Sequence, residues 1–266
     1  MLPSAEENER QLSDLDGPGE GFLYRYRNLV DDHATWVREI IQESILYFSS
    51  PKNFNDPFDC RARFSSDISK TEFKSKARDL LIERRIPRKQ RRKILRTPRS
   101  PKVFASNIAQ GMQTEIDRMG VLSLSATHEN ILMWSHYTCG HRGVCLQFKV
   151  TAASPFFAPA LPVQYSEELP IPTLFGIDHE ERVKAILFTK AADWRYEREW
   201  RLLYAESGPG HRNFPPSLLS GVILGANISP ADRQMITDWA KLKKDPFAMY
   251  QAERHPEKYS LIFQEL

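Results

Sequence analysis

The chain has 266 residues, 41% hydrophobic and 27% charged, which excludes fibrous and wholly disordered classes and fits a globular protein. No window approaches eighteen consecutive apolar residues, and the acidic start MLPSAEENERQLSDLDGPGE lacks the basic and apolar regions of a secretion signal, so a cytoplasmic location is expected. Cys60, Cys139 and Cys145 show no CxxC spacing, which excludes a disulfide framework as the organising principle. The net charge of +3 is uneven: Arg84 to Lys102 holds ten basic residues and no acid, leaving 27 basic against 34 acidic residues elsewhere.

Residues 1–20 read as a mobile, polar tail ending in Gly17-Pro18-Gly19. In GFLYRYRNL, Phe22, Tyr24 and Tyr26 alternate with Leu23, Arg25 and Arg27, the period of a strand. TWVREIIQESIL sets Trp36, Ile40, Ile41 and Ile45 at helical spacing after the candidate caps Asp31 and Asp32. LYFSSP reads as a second strand running into the turn-rich KNFNDPFD. Residues 67–120 read as a charged helical insertion carrying the basic block, interrupted by Pro87, Pro98 and Pro101.

Beyond it, GVLSLSAT, VCLQFKV, PVQYSE, DWRYEREWRLLY and SGVILGANIS read as strands. ENILMWSHYTCGHRG, VKAILFTK and PADRQMITDWAKLKK read as helices, and the C-terminal AMYQAERHPEKYSLIFQEL reads as a hairpin turning at His255-Pro256. The sum is one α+β domain over 21–266, expected as two small, mainly antiparallel sheets around a cleft. A doubly wound nucleotide fold is disfavoured, because no GxGxxG follows the first strand.

Four constellations carry candidate chemistry. Arg25 and Arg27 offer planar forks for a pyrophosphate or carboxylate, against the ordinary reading of an aromatic and basic strand. In SSPKNFNDPFD, Ser49, Ser50 and Asn53 could bond a ligand and Asp56 and Asp59 a hard cation; the structural reading is an Asx-type turn with Phe54 and Phe58 in the core. His128, His136, Cys139, His141 and Cys145 crowd one stretch at spacings that match no common zinc framework, and a Cys/His nucleophile is the weaker alternative. In DWRYEREWRLLY, period-two alternation puts Glu197 and Glu199 on one face between Arg195 and Arg201, either as a ladder of ion pairs or as a carboxylate wall of a cleft.

The series LYRYRNL, LYFSSPKNFNDPFD, MWSHY followed by HRGVC, VQY and EREWR resembles a bacterial family known only as domain of unknown function 2971, across about residues 22–265. A second resemblance, of layout, is to ADP-ribosyltransferases of the DNA-modifying toxin type. It lies in a basic and aromatic first strand, a strand ending in serines, an Asn-rich turn and a late glutamate strand. That resemblance implies a two-sheet cleft gripping NAD as a substrate, with no metal. It implies Arg25 and Glu199 as catalytic residues, with Arg27 and Glu197 as rivals. Tyr24, Arg27, Ser49, Ser50, Asn53 and Trp134 would then lie at the cofactor.

The chemistry such a site performs is cleavage of the nicotinamide–ribose bond through an oxocarbenium-like cation that a carboxylate stabilises. Arg84, Arg85, Arg88, Lys89, Arg91, Arg92 and Lys93 are candidates for nucleic-acid contact, restricted to phosphates because no aromatics are interleaved. An NAD-consuming toxin or phage-defence effector, transferring ADP-ribose or merely hydrolysing NAD, is the first reading, and a neighbouring antitoxin or sensor protein is a candidate partner. A metal-dependent nuclease built on Asp56, Asp59 and a glutamate of the late strand, and a non-enzymatic nucleic-acid-binding module, are the alternatives.

Overall fold

The computed structural model describes residues 2–13, 20–63, 70–96, 101–151, 154, 156–172 and 179–266. The fold class is α+β. The chain divides into two compact units, one comprising Met1–Ser50, Met119–Val163 and Asp193–Leu266, the other Pro51–Arg118 and Gln164–Ala192.

The first unit is built on one eight-stranded sheet rather than two small ones. Its strands are β1 (Glu20–Arg27), β3 (Gly120–Ser125), β4 (Val144–Thr151), β5 (Leu161–Pro162), β8 (Glu199–Tyr204), β10 (Leu219–Leu224), β11 (Ala248–Arg254) and β12 (Leu261–Glu265), in the order β12-β11-β10-β4-β1-β3-β8-β5. Pairing is antiparallel except between β10 and β11. A separate two-stranded sheet joins β2 (Ile45–Phe48) to β9 (Gly210–Asn213).

Residues directly opposite in a ladder share a face, so the register sorts the side chains. Leu23 pairs with Phe148, and Arg25 with Leu146, which pairs with Val222. This face joins Val37, Ile40, Leu46, Phe48, Trp200, Leu202 and Ile236 in the larger hydrophobic core, supplied in part by α2 (Asp32–Arg38) and α8 (Pro230–Leu242). Tyr24, Tyr26, Cys145, Ile223 and Tyr250 lie on the opposite face and pack with Met133 and Trp134 of α6 (Ile131–Tyr137). The centre of the sheet is therefore buried on both faces, which fits the largely apolar make-up of β3, β4 and β10. Among the described residues no helix is long and apolar enough to cross a membrane.

The expected N-terminal tail is in part a helix. In α1 (Ala5–Ser13), the fully buried Asn8 donates from Nδ2 to the carbonyls of Phe22 (2.7 Å) and Ala126 (2.8 Å) and accepts from the Phe22 amide at 2.7 Å. A side chain that ties down three backbone groups replaces the sheet bonds that the start of β1 lacks. Leu12 lies so close over Gly21 that a Cβ there would meet its Cδ2 at 2.6 Å. Polar composition hid this docking, because one asparagine and one leucine supply most of it.

The second unit contains α3 (Lys70–Glu83), α4 (Arg88–Arg96), α5 (Pro101–Ile116), α7 (His179–Leu187) and a parallel pair of short strands, β6 (Gln164–Ser166) and β7 (Thr189–Ala191). Ala77, Met112, Ile116, Val183, Ile186 and Leu187 are buried here. The predicted helix VKAILFTK starts earlier, at His179, and ends at Leu187, its last two residues, Thr189 and Lys190, opening β7.

The largest departure lies at 193–204. The whole stretch was expected as a strand, but Ala192–Glu197 is a 3-10 turn and only Glu199–Tyr204 is strand. Between them Arg198 has φ +44°, a left-handed conformation that a side chain with a Cβ adopts at a cost of order 1 kcal/mol. The alternation of Trp194, Tyr196 and Arg198 with charged residues imitates a strand without forming one.

Candidate functional site

Three adjacent strands bring one row of side chains abreast: Tyr24 on β1 pairs with Ser125 on β3, which pairs with Glu199 on β8. Arg201, two residues on, lies on the same face. Its Nε donates to Glu199 Oε1 at 2.7 Å and its Nη2 to Oε2 at 3.0 Å, a two-point fork with Arg201 fully buried and Glu199 only 4% exposed. A buried carboxylate and guanidinium of this kind balance each other only while both are present.

Glu197 is the second buried carboxylate. Its Oε1 accepts from the Tyr137 hydroxyl at 2.6 Å, and its backbone carbonyl accepts from Ser125 Oγ at 2.6 Å. The Ser125 oxygen in turn accepts from the Thr127 amide at 3.1 Å. Tyr137 is delivered by the end of α6, whose start is fixed by Asn130 Oδ1 accepting from the amides of Leu132 and Met133. The strained Arg198 sits between the two glutamates, its carbonyl accepting from the Ala126 amide at 2.9 Å and its guanidinium reaching Glu9 at 2.9 Å.

Around these carboxylates stand partly exposed rings. Trp194 and Tyr196 lie with centroids 6.0 Å apart, and the exposed His136 is 6.4 Å from Tyr196. Tyr196 packs in part against the smaller hydrophobic core.

Several residues expected at the cofactor are placed elsewhere. Trp134 is fully buried, its indole donating to the His128 carbonyl at 2.7 Å and its ring edge-on to Tyr26, so no face remains for a ligand. Tyr24 is likewise buried, its hydroxyl accepting from Gln147 at 3.3 Å, with burial pushing that hydroxyl's pKa up. Ser49 forms a backbone bridge with Val121, and Asn53, in the other unit, is exposed. Ser50 is buried.

Arg25 and Arg27 share the face opposite Glu199, so Arg25 and Glu199 do not line one side of the sheet as expected. Arg25 Nη1 donates to the Ser123 carbonyl at 2.8 Å, while the Nε atoms of both arginines are buried without a partner. Burial, and for Arg25 the neighbouring Arg27 charge, lowers both from the usual guanidinium value, Arg27 to about 10.

The remaining constellations separate. His128 and Cys145 are buried whereas His136 and Cys139 are exposed, and among the described residues no three His, Cys, Asp or Glu side chains converge to hold a metal. In the second unit, Asp56 accepts from the Phe58 amide at 2.9 Å, the expected Asx-type turn, but Phe58 is exposed rather than plugged into a core. Asp59 lies 3.7 Å from Lys190 Nζ with both side chains buried, a cation already in place where a metal ion was considered. Of the basic-block residues, Arg84, Arg85, Arg88, Lys89, Arg92 and Lys93 are exposed and Arg91 is partly so.

Sequence reasoning missed Tyr137 and Ser125. Ser125 had a signal, since Ser123 and Ser125 alternate inside an otherwise apolar strand; Tyr137 had none, because its role depends on how α6 packs on the sheet.

Comparison with known proteins adds one finding. Residues 133–202 match the family described as Protein of unknown function (DUF2971), the family the resemblance named, over a narrower span than 22–265. The matched stretch carries Tyr137, Glu197, Glu199 and Arg201. No curated protein and no solved structure matches the chain.

Proposed function

We propose that the chain cleaves the nicotinamide–ribose bond of NAD, as an ADP-ribosyltransferase-like enzyme or an NAD glycohydrolase, with Glu197 and Glu199 as its working carboxylates. The observation that supports this reading is the pair of buried glutamates flanking a strained residue, one held by a phenol and the other by a guanidinium fork, beside partly exposed aromatic rings.

The chemistry follows from the fork. The Arg201 fork holds the Glu199 carboxylate ionised and fixed in place, so that its negative charge needs no reorganisation when positive charge develops on a bound sugar. As the C–N bond breaks, nicotinamide leaves with the bonding electron pair and the sugar develops positive charge. Glu197 and Glu199 stabilise that charge in a buried setting, where fixed groups act more strongly than in water. Water or a nucleophilic acceptor then bonds to the sugar carbon and loses its proton. Trp194, Tyr196 and His136 replace Trp134 and Tyr24 as the surfaces on which nicotinamide or adenine would stack.

The test is nicotinamide release from NAD by the purified chain, compared with Glu197→Gln and Glu199→Gln. Loss of roughly a hundredfold or more is expected for each, the scale of losing one partner of transition-state charge. Absence of any release, with no NAD-induced rise in melting temperature, would remove the reading.

A further inference from the structure

Independently of the NAD chemistry, we infer that α4 and the two arginines before it form a docking surface for the phosphate backbone of double-stranded nucleic acid. Arg88–Arg96 reads RKQRRKILR, nine residues without an acid, preceded by Arg84 and Arg85. Arg88, Lys89, Arg92 and Lys93 are exposed, and Arg91 partly. Arg84, Arg85, Arg88, Lys89, Arg91 and Arg92 make no ion pair among the described residues.

The helix carries its charges at a local cost. Arg88 and Lys89 occupy its first turn, where the positive end of the helix dipole disfavours cations and no acidic residue compensates. Arg88 and Arg92 are like charges four residues apart, which repel along a helix face. Both penalties are relieved when phosphates line up along the helix. A duplex carries roughly one charge per 1.7 Å of axis, so a helix of about 13 Å meets several at once.

An anionic membrane is the poorer match: Ile94 and Leu95 are adjacent rather than spaced three or four apart, and the helix has no aromatic, so no apolar stripe exists to enter a bilayer surface. The absence of aromatics also removes base stacking, so the surface reads charge and shape without sequence preference.

The experiment is anisotropy of a fluorescein-labelled 20-base-pair DNA duplex, with an RNA duplex in parallel, titrated with the whole chain between 50 and 200 mM salt. The variant Arg88→Gln/Lys89→Gln/Arg92→Gln/Lys93→Gln is compared with a control neutralising Arg233, Lys244, Arg254 and Lys258, which are exposed in the other unit. Wild type is expected to bind either duplex, with affinity falling steeply as salt rises. The α4 variant should lose about 3 to 4 from the magnitude of the log–log salt slope, close to 0.9 for each of four phosphate contacts, at unchanged melting temperature. The control should leave the slope near the wild-type value. Equal losses in both variants, no duplex binding by wild type, or binding only to phosphatidylserine vesicles would overturn the inference. As a second readout, duplex should slow hydrogen exchange of the 88–96 amides.

Discussion

β1 and β8 look alike in sequence and differ in how the fold treats their charges. LYRYRNL and EREWRLLY both interleave arginine with aromatic or aliphatic residues, and both lie in the same doubly covered sheet. On β8, Arg201 closes a two-point fork on Glu199; on β1, Arg25 and Arg27 have Nε atoms buried without partners. Desolvation is comparable in kind, but only β8 offsets it with an opposite charge. Buried ionic groups therefore mean different things on two strands of one sheet, and only the paired one lies beside a second carboxylate.

The sharpest way to break the comparison is Arg201→Met. It strands the Glu199 carboxylate and should cost about 3–5 kcal/mol in denaturant unfolding. The double variant Glu199→Gln/Arg201→Met should cost clearly less than the two single costs added, because both groups of one pair leave together. If the costs simply add, the fork is not an energetic unit.

Next in size is a pH effect on the glutamates' face of the sheet. His128 is buried, with ring centroids 5.0 Å from Tyr24 and 4.6 Å from Phe263, and burial lowers its pKa to about 4. The unfolded histidine takes up a proton near pH 6.5 while the folded one stays neutral. Stability is therefore present above pH 6.5 and lost as pH falls from 6.5 through 4, by about 3 kcal/mol at most. Urea midpoints across that window should fall in the wild type, and part of the slope should vanish in His128→Gln. An unchanged slope would place the acid sensitivity elsewhere.

Tyr137→Phe should cost about 1–2 kcal/mol, as it removes one hydrogen bond to a buried carboxylate. Smallest is Arg27→Met on β1, expected between neutral and about 1 kcal/mol stabilising, because it removes a half-buried cation that, among the described residues, no carboxylate balances. A large loss of stability there, measured by thermal unfolding, would erase the contrast between the strands.

Much of the sheet was legible. Period-two alternation located β1, β3, β4, β10 and the C-terminal pair, and Pro230 near the first turn with lysines at the end located α8. β9 was not legible, since GHRN has no apolar alternation and is defined only by pairing with β2. The site was half legible. That Glu199 and Arg201 share a face follows from alternation once the strand begins at Glu199. The turn before it did not follow, because nothing local forces Arg198 to a positive φ; its carbonyl accepts from the Ala126 amide just past β3 and its guanidinium pairs with Glu9 of α1, both distant in sequence. The opposite facing of Arg25 and Glu199 was hidden for a related reason, since it depends on the register between β1, β3 and β8 rather than on either strand alone.

The most direct test of the central claim uses Glu197→Gln, an isosteric change that keeps the acceptor for Tyr137 and leaves the Arg201 fork untouched. Nicotinamide release from NAD is measured for wild type and variant with matched melting temperatures. The account predicts release by the wild type and a loss of about a hundredfold or more in the variant. Equal release by the two would contradict the assignment of the carboxylate pair, and no release by either would contradict the chemistry itself.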